Sequence, residues 1–198
     1  MVYLTVNIEA ISAFTSMDKS LVLVYLVVLL ALLGVASWFV IRQTFKTRRS
    51  ESVLNRLRKK LSEGKGTVQE YFELGSLYLN KKLFTQAIQQ FQQALRAAEA
   101  VTEEEPEAES NLAPIYNAMG YAYFAQEQFD LAIRHYKEAL KRKTDYVTAF
   151  NNLGHAYERK NLAAQALEAY ENALKHDPKN DTAKRRATSL RKRVAIAA

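Results

Sequence analysis

Residues 113–146 read APIYNAMGYAYFAQEQFDLAIRHYKEALKRKTDY, and residues 147–180 read VTAFNNLGHAYERKNLAAQALEAYENALKHDPKN. Laid one under the other, Gly120 falls on Gly154, and a third copy aligns on Gly75. The residue before each glycine is Leu74, Met119 or Leu153, and four before it stands Tyr71, Tyr116 or Phe150. Three after it are Tyr78, Tyr123 and Tyr157, and twelve after it Ala87, Ala132 and Ala166. Sixteen after it are Phe91, Tyr136 and Tyr170, and nineteen after it Ala94, Ala139 and Ala173. Seven positions shared by three copies make an internal repeat, which has to be recognised before any element is assigned. Gly120 and Gly154 lie 34 residues apart and Gly75 and Gly120 lie 45 apart, so 11 extra residues separate the first two copies.

Small residues at two fixed places and aromatic residues at others suit a helical hairpin. Glycine and alanine sit where the paired helices approach closely, and the aromatics fill the space between helices and toward the next copy. One hairpin cannot bury its apolar face, and stacking the copies does. Helices are expected near 68–80 and 84–98, 113–126 and 129–142, and 147–160 and 163–176. The conserved-position tyrosines and phenylalanines are read as structural, not as a base-stacking platform.

Seven such positions on a 34-residue unit resemble the tetratricopeptide repeat over about residues 68–180. There are departures. Tyrosine or phenylalanine stands where the family favours tryptophan, and the closing proline occurs only as Pro178, with Glu99 and Thr144 at the matching places. The second helices of the first two repeats are therefore expected to run longer. The reading is an all-α chain: a single N-terminal transmembrane helix, a three-repeat tetratricopeptide solenoid and a C-terminal capping helix. The repeats span 68–101, 113–146 and 147–180, with an acidic insertion at 102–112. That insertion, with Glu103, Glu104, Glu105, Pro106, Glu107 and Glu109, is a solvated loop, a helix extension or an acidic contact for a basic partner.

Working outward, residues 21–41 read LVLVYLVVLLALLGVASWFVI, with no charge and fifteen Leu, Ile, Val or Phe. As a helix they extend about 31 Å, matching the roughly 30 Å hydrocarbon core of a bilayer. Arg42, Lys46, Arg48 and Arg49 follow directly, so the positive-inside rule turns the C-terminal side to the cytoplasm or its equivalent. A cleaved signal, with Gly34-Val35-Ala36 imitating a cleavage site, competes poorly: the apolar run is too long and its basic cluster follows rather than precedes it. The layout is then a tail at 1–19, a span at 20–41, and a basic neck with an amphipathic helix at 42–66. Within the neck, Val53, Leu54, Leu57 and Leu61 share a face that either packs on repeat 1 or lies on the membrane. Gly64-Lys65-Gly66 reads as the joint into repeat 1.

The 198 residues carry a net charge of +7, unevenly placed: −1 over 1–41, +7 over 42–66, −4 over 67–180 and +5 over 181–198. The basic neck suits anionic lipid headgroups. A body of net −4 does not suit nucleic acid. The tail 181–198 reads as a solvating final helix with Asp181 as its N-cap and Pro178 before it as a helix breaker. There is no cysteine, which removes disulfides, thiolate zinc sites and thiol nucleophiles. The three histidines, His135, His155 and His176, form no metal-ligand pattern. Gly64-Lys65-Gly66-Thr67 lacks the earlier glycine and strand of a phosphate loop, and no serine stands in a GxSxG elbow. No catalytic residue, cofactor, metal or small-molecule substrate is expected, and the chain is read as not an enzyme.

The repeat family's concave groove is lined by the fifth, ninth, twelfth and thirteenth positions of each first helix. The resemblance places Phe72, Ser76, Leu79 and Asn80 there in repeat 1; Asn117, Tyr121, Phe124 and Ala125 in repeat 2; and Asn151, His155, Glu158 and Arg159 in repeat 3. The partner-binding expectation falls on Phe72, Ser76, Leu79, Asn117, Tyr121, Phe124, Asn151, His155 and Arg159. Phe72 and Ser76 stand where chaperone-binding relatives carry lysine and asparagine, so a clamp for chaperone tails is not expected. The mixed groove suits a peptide or helix of a client.

The layout, with the stretch Tyr146–Glu158 (YVTAFNNLGHAYE), resembles the membrane-anchored tetratricopeptide assembly factors of photosystem I in cyanobacteria and plastids. The resemblance implies a non-enzymatic scaffold in the thylakoid membrane, single-pass, with repeats facing the cytoplasm or stroma. Its partners would be photosystem I subunits and other assembly factors, with membrane lipid met by the anchor and neck. The absence of an Arg/Ser-rich transit peptide points to a cyanobacterial or plastid-encoded chain, or one whose presequence has been removed. Two alternatives are a general membrane-anchored adaptor and a targeting-sequence receptor outside photosynthesis.

Overall fold

The computed structural model describes the backbone of residues 2–62, 64, 66–102 and 112–197, with side chains over 21–43, 51–62, 64, 66–99 and 112–195. Among the described residues all regular structure is helical: α1 Val2–Leu61, α2 Val68–Asn80, α3 Phe84–Thr102, α4 Ala113–Ala125, α5 Phe129–Arg142, α6 Val147–Arg159, α7 Ala163–His176 and α8 Asp181–Ala197. The chain divides into two compact units between Val53 and Leu54.

The first unit is helical from Val2, including the segment expected as a tail. Within it Leu21–Gln43 is long and apolar enough to cross a membrane, with a mean hydropathy of 2.7. Its apolar side chains are half to two-thirds exposed. A helix of this kind in water would leave a patch far larger than ordinary surfaces carry. At its C-terminal end the Arg42 guanidinium lies 5.3 Å from the centre of the Trp38 ring.

In the second unit each helix from α2 to α8 packs on the next, and α2, α4 and α6 also touch in sequence, forming an inner layer. The repeat glycines explain the spacing. A Cβ on Gly75 would sit 2.5 Å from Phe91, on Gly120 2.6 Å from Tyr136, and on Gly154 2.7 Å from Tyr170. The alanines Ala87, Ala132, Ala166, Ala94, Ala139 and Ala173 are wholly buried, as are the three rings. Each hairpin turns the same way. Lys82, Glu127 and Asn161 adopt φ of 60°, 60° and 59°. The next amide donates back to the repeat tyrosine's carbonyl: Leu83 N to Tyr78 O at 2.9 Å, Gln128 N to Tyr123 O at 3.0 Å, and Leu162 N to Tyr157 O at 2.9 Å. This closure satisfies carbonyls that the helix end would leave orphaned.

The two ends are capped differently. Leu54, Leu57 and Leu61 are buried, so this amphipathic face packs on protein rather than lying on a membrane. Thr67 caps α2 in a reciprocal box: Thr67 Oγ1 accepts from Glu70 N at 3.3 Å and Glu70 Oε2 accepts from Thr67 N at 3.2 Å. Lys60 forms an ion pair with Glu70, and this bond holds the Glu70 carboxyl below its ordinary range. At the other end Ala183, Ala187 and Leu190 bury one face of α8. Its cap is Asn180, whose Oδ1 accepts from Ala183 N at 2.9 Å, and not Asp181 as the sequence suggests. Asp181 instead sits in the first turn, where its charge favours the helix dipole.

The second helices differ from expectation in one case. α3 does extend, to Thr102. α5 does not: it ends at Arg142, with Lys143 extended at φ −140° and ψ 97°. No insertion follows repeat 2, so the chain has only Lys143–Tyr146 in which to turn into α6, and Val147 N bonds Asp145 O at 2.9 Å there. Of the insertion at 102–112, expected as an acidic loop, a helix extension or an acidic contact, residues 103–111 lie outside the described residues.

Candidate functional site

The inner helices α2, α4 and α6 place their groove positions in two regions. Near repeats 1 and 2 a hollow of about 480 Å³ is lined by Leu79, Asn80, Phe84, Asn117, Tyr121 and Asn152, among others. Tyr121 is 47% exposed, a large apolar ring without cover. Asn117 Oδ1 accepts from Asn152 Nδ2 at 2.9 Å, which fixes one wall.

Near repeat 3 a hollow of about 220 Å³ is lined by Phe124, His155, Glu158, Arg159 and Arg186. It shares His155 and Arg186 with a neighbouring hollow of about 400 Å³, completed by Thr182, Arg185 and Ser189 of α8. Arg159 lies 4.6 Å over the Phe129 ring and 6.0 Å from that of Phe124, and bonds Glu127 Oε1 at 3.1 Å. Glu158 accepts from the Tyr170 hydroxyl at 2.6 Å through Oε1 and from Arg186 at 3.4 Å through Oε2. Burial, then the Arg186 charge, holds His155 below its ordinary pKa, so its imidazole is neutral near pH 7.

Of the nine residues expected to bind, Leu79, Asn117 and Tyr121 meet in the first hollow, and Phe124, His155 and Arg159 in the second. The other three, Phe72, Ser76 and Asn151, line neither of these hollows. The Phe72 ring packs 5.8 Å from Phe91, and Ser76 Oγ donates to Phe72 O at 2.8 Å. Among the described residues Asn151 Oδ1 and His155 Nε2 are buried without a hydrogen-bond partner. Phe124 is only half open: its ring meets Phe129 edge-on at 5.5 Å. Sequence reasoning missed the contribution of α8. Thr182, Arg185, Arg186 and Ser189 recur at helical spacing on one face, a signal that a cap reading passes over.

Tetratricopeptide repeat models match residues 71–101 and 147–180, and a TPR repeat model matches 120–161. The protein ycf37 of Cyanophora paradoxa is 36% identical over 152 residues, which are 77% of this chain and 84% of that one. The chain belongs to the ycf37 family of tetratricopeptide repeat proteins. The tetratricopeptide repeat domain-containing protein PYG7, chloroplastic, of Arabidopsis thaliana is also 36% identical over 179 residues, 90% of this chain. This chain spans only 57% of that plant protein's length. Among solved structures, MamA superposes with a TM-score of 0.64 at 21% identity, covering 76% of this chain and 84% of that one. That likeness is one of fold alone: a stack of helical hairpins.

Proposed function

We propose that this chain is a non-enzymatic, membrane-tethered scaffold that assists assembly of photosystem I. It binds photosystem I subunits or other assembly factors through the groove of α2, α4 and α6. The observation that carries the reading is the uncovered Tyr121 beside the hollow of Leu79 and Phe84, in a family whose plant relative is chloroplastic. Concave surfaces with a few open aromatics are where such repeats hold a peptide or helix. The Leu21–Gln43 helix anchors the scaffold in the thylakoid membrane, with the repeats in the stroma or cytoplasm. Anchoring raises its effective concentration near membrane clients. The basic neck meets anionic lipid.

The test is affinity purification of the tagged full chain from solubilised photosynthetic membranes. Photosystem I subunits or assembly factors should be recovered, and recovery should fall for Tyr121→Ala. Recovery of envelope proteins or targeting presequences, without photosystem I components, would replace this reading with a general adaptor or a receptor.

A further inference from the structure

Charge is unevenly distributed along the groove. The two hollows at the α6–α8 end carry Arg159, Arg185 and Arg186 against the single carboxylate of Glu158. Glu158 is already occupied through both oxygens, by Tyr170 and Arg186. Arg159 is paired with Glu127, whose carboxylate is largely exposed. Arg185 has no carboxylate partner among the described residues; its Nε donates to the Asp181 backbone oxygen at 3.3 Å. The other hollow joins the apolar Leu79, Phe84 and Tyr121 to Asn80, Asn117 and Asn152, with one cation, Lys82, against the three at the α6–α8 end.

We propose that the groove is a two-part site for an acidic peptide segment: an apolar side chain seats against Leu79, Phe84 and Tyr121, and carboxylates lie against Arg185, Arg186 and Arg159. This rests on the reading of the groove as the client-binding surface and names the chemistry of the client. Guanidinium groups are suited to carboxylates because the planar fork donates two parallel hydrogen bonds. Arg159 is held in place by the Phe129 ring, so less freedom is lost when it binds. Arg185 supplies a positive charge with no carboxylate partner to displace among the described residues, its one hydrogen bond there being from Nε to a backbone oxygen. A bilayer surface also offers anions, but it is flat, whereas these cations wall hollows between α6 and α8. An apolar anchor beside a charged run is the chemistry of a peptide.

The test uses the full chain in neutral-lipid nanodiscs and a fluorophore-labelled peptide carrying a run of glutamates and one leucine. Anisotropy should show binding that weakens as salt rises. The same peptide with lysines for glutamates should not bind, and replacing its leucine by serine should weaken it. Arg185→Ala should weaken binding about tenfold, the scale of one charge-assisted hydrogen bond. Arg185→Lys should recover part of that loss, and the thermal unfolding of both variants should match the parent. Equal binding of the lysine peptide, or full binding by Arg185→Ala, overturns the proposal. So does an Arg185 dependence seen with phosphatidylglycerol vesicles and not with the peptide. Client capture separates the two levels. Loss with Tyr121→Ala but not with Arg185→Ala keeps the groove and removes the acidic partner; loss with neither removes both.

Discussion

The Tyr170 hydroxyl donates to Glu158 Oε1 at 2.6 Å. One end of this tyrosine is the wholly buried ring that fills the space over Gly154, and the other holds a groove carboxylate. Glu158 Oε2 in turn accepts from Arg186 on α8. Burial, with Glu158 beside it, pushes the Tyr170 pKa well above its ordinary value, so the hydroxyl remains a donor throughout the neutral range. Core, groove and cap are thus joined by one side chain. Tyr170→Phe keeps the ring and removes the bond. It should cost about 1.5 kcal/mol of stability, the lower end for a bond to a charged group, because Glu158 is partly solvated. Thermal unfolding followed by circular dichroism measures this, and an unchanged midpoint would show that the bond contributes nothing.

Gly154 faces the other side of that ring. A leucine there would drive its Cβ to 2.7 Å from the ring even before its branches are placed. Overpacking typically costs about 1–3 kcal/mol, and in a three-repeat stack the loss spreads through both neighbouring interfaces. Gly154→Leu should therefore lower the unfolding midpoint of the whole second unit, while Gly34→Leu, with nothing within 4 Å, should not. Equal midpoints for the two variants would contradict the close approach.

His135 is predicted to make the stack sensitive to acid. Its ring lies between Tyr123, centroids 5.1 Å apart and nearly parallel, and Tyr116 at 6.2 Å. Burial lowers its pKa below 6.5, with Arg134 adding to the effect and Glu138 opposing it. The neutral imidazole is therefore favoured by folding. That contribution is present above the unfolded value and is lost as pH falls through 6.5 toward the lowered folded value. The chain should unfold more readily at about pH 5.5 than at about pH 7.5, and His135→Phe should shrink the difference. His155, lowered in the same direction, leaves a residual dependence. If His135→Phe leaves the pH dependence unaltered, the imidazole is not a source of it.

The repeat register was legible because Gly75, Gly120 and Gly154 recur with their aromatic partners, and one clash explains all three. Features that occur once were harder. Arg185 and Arg186 lie outside the repeating unit, and only the docking of Ala183, Ala187 and Leu190 turns their face toward His155. Asn180 and Asp181 are both good capping residues side by side, and composition cannot choose between them. The end of α5 depended on how much chain follows it, not on a missing proline. Ser76 and Phe72 occupy groove positions by count, yet their local contacts engage them within repeat 1.

The orientation of the anchor is a separate matter of charge. Leu21–Gln43 has Arg42 at its C-terminal end, and Lys46, Arg48 and Arg49 follow. The positive-inside rule predicts that these four cations stay on the cytoplasmic or stromal side, giving a single crossing with the repeats on that side. In sealed vesicles exposing only the opposite face, protease should leave the repeats intact. Cleavage within α2–α8 under those conditions would reverse the orientation.

The sharpest measurement at the groove separates Tyr121 from its neighbours. Tyr121 is open to solvent, whereas Phe124 packs on Phe129 and lies under Arg159, so a Phe124 variant disturbs the helix pair as well as the groove. Tyr121→Ala alone should leave helix content and unfolding midpoint nearly unchanged, as expected of an exposed position. It should nevertheless weaken client capture severalfold if the ring is a binding anchor, since aromatic anchors carry much of an interface's energy. The comparison has to avoid Arg191, which bonds Glu171 Oε1 through Nε at 3.0 Å and through its terminal nitrogen at 2.8 Å. Reversing its charge would set two carboxylates together and loosen α8. Lys192→Glu with Arg193→Glu changes the tail's charge without touching that pair, and should leave capture intact. Normal capture by Tyr121→Ala with loss in the tail variant would move the binding surface off the groove and onto the basic end of α8.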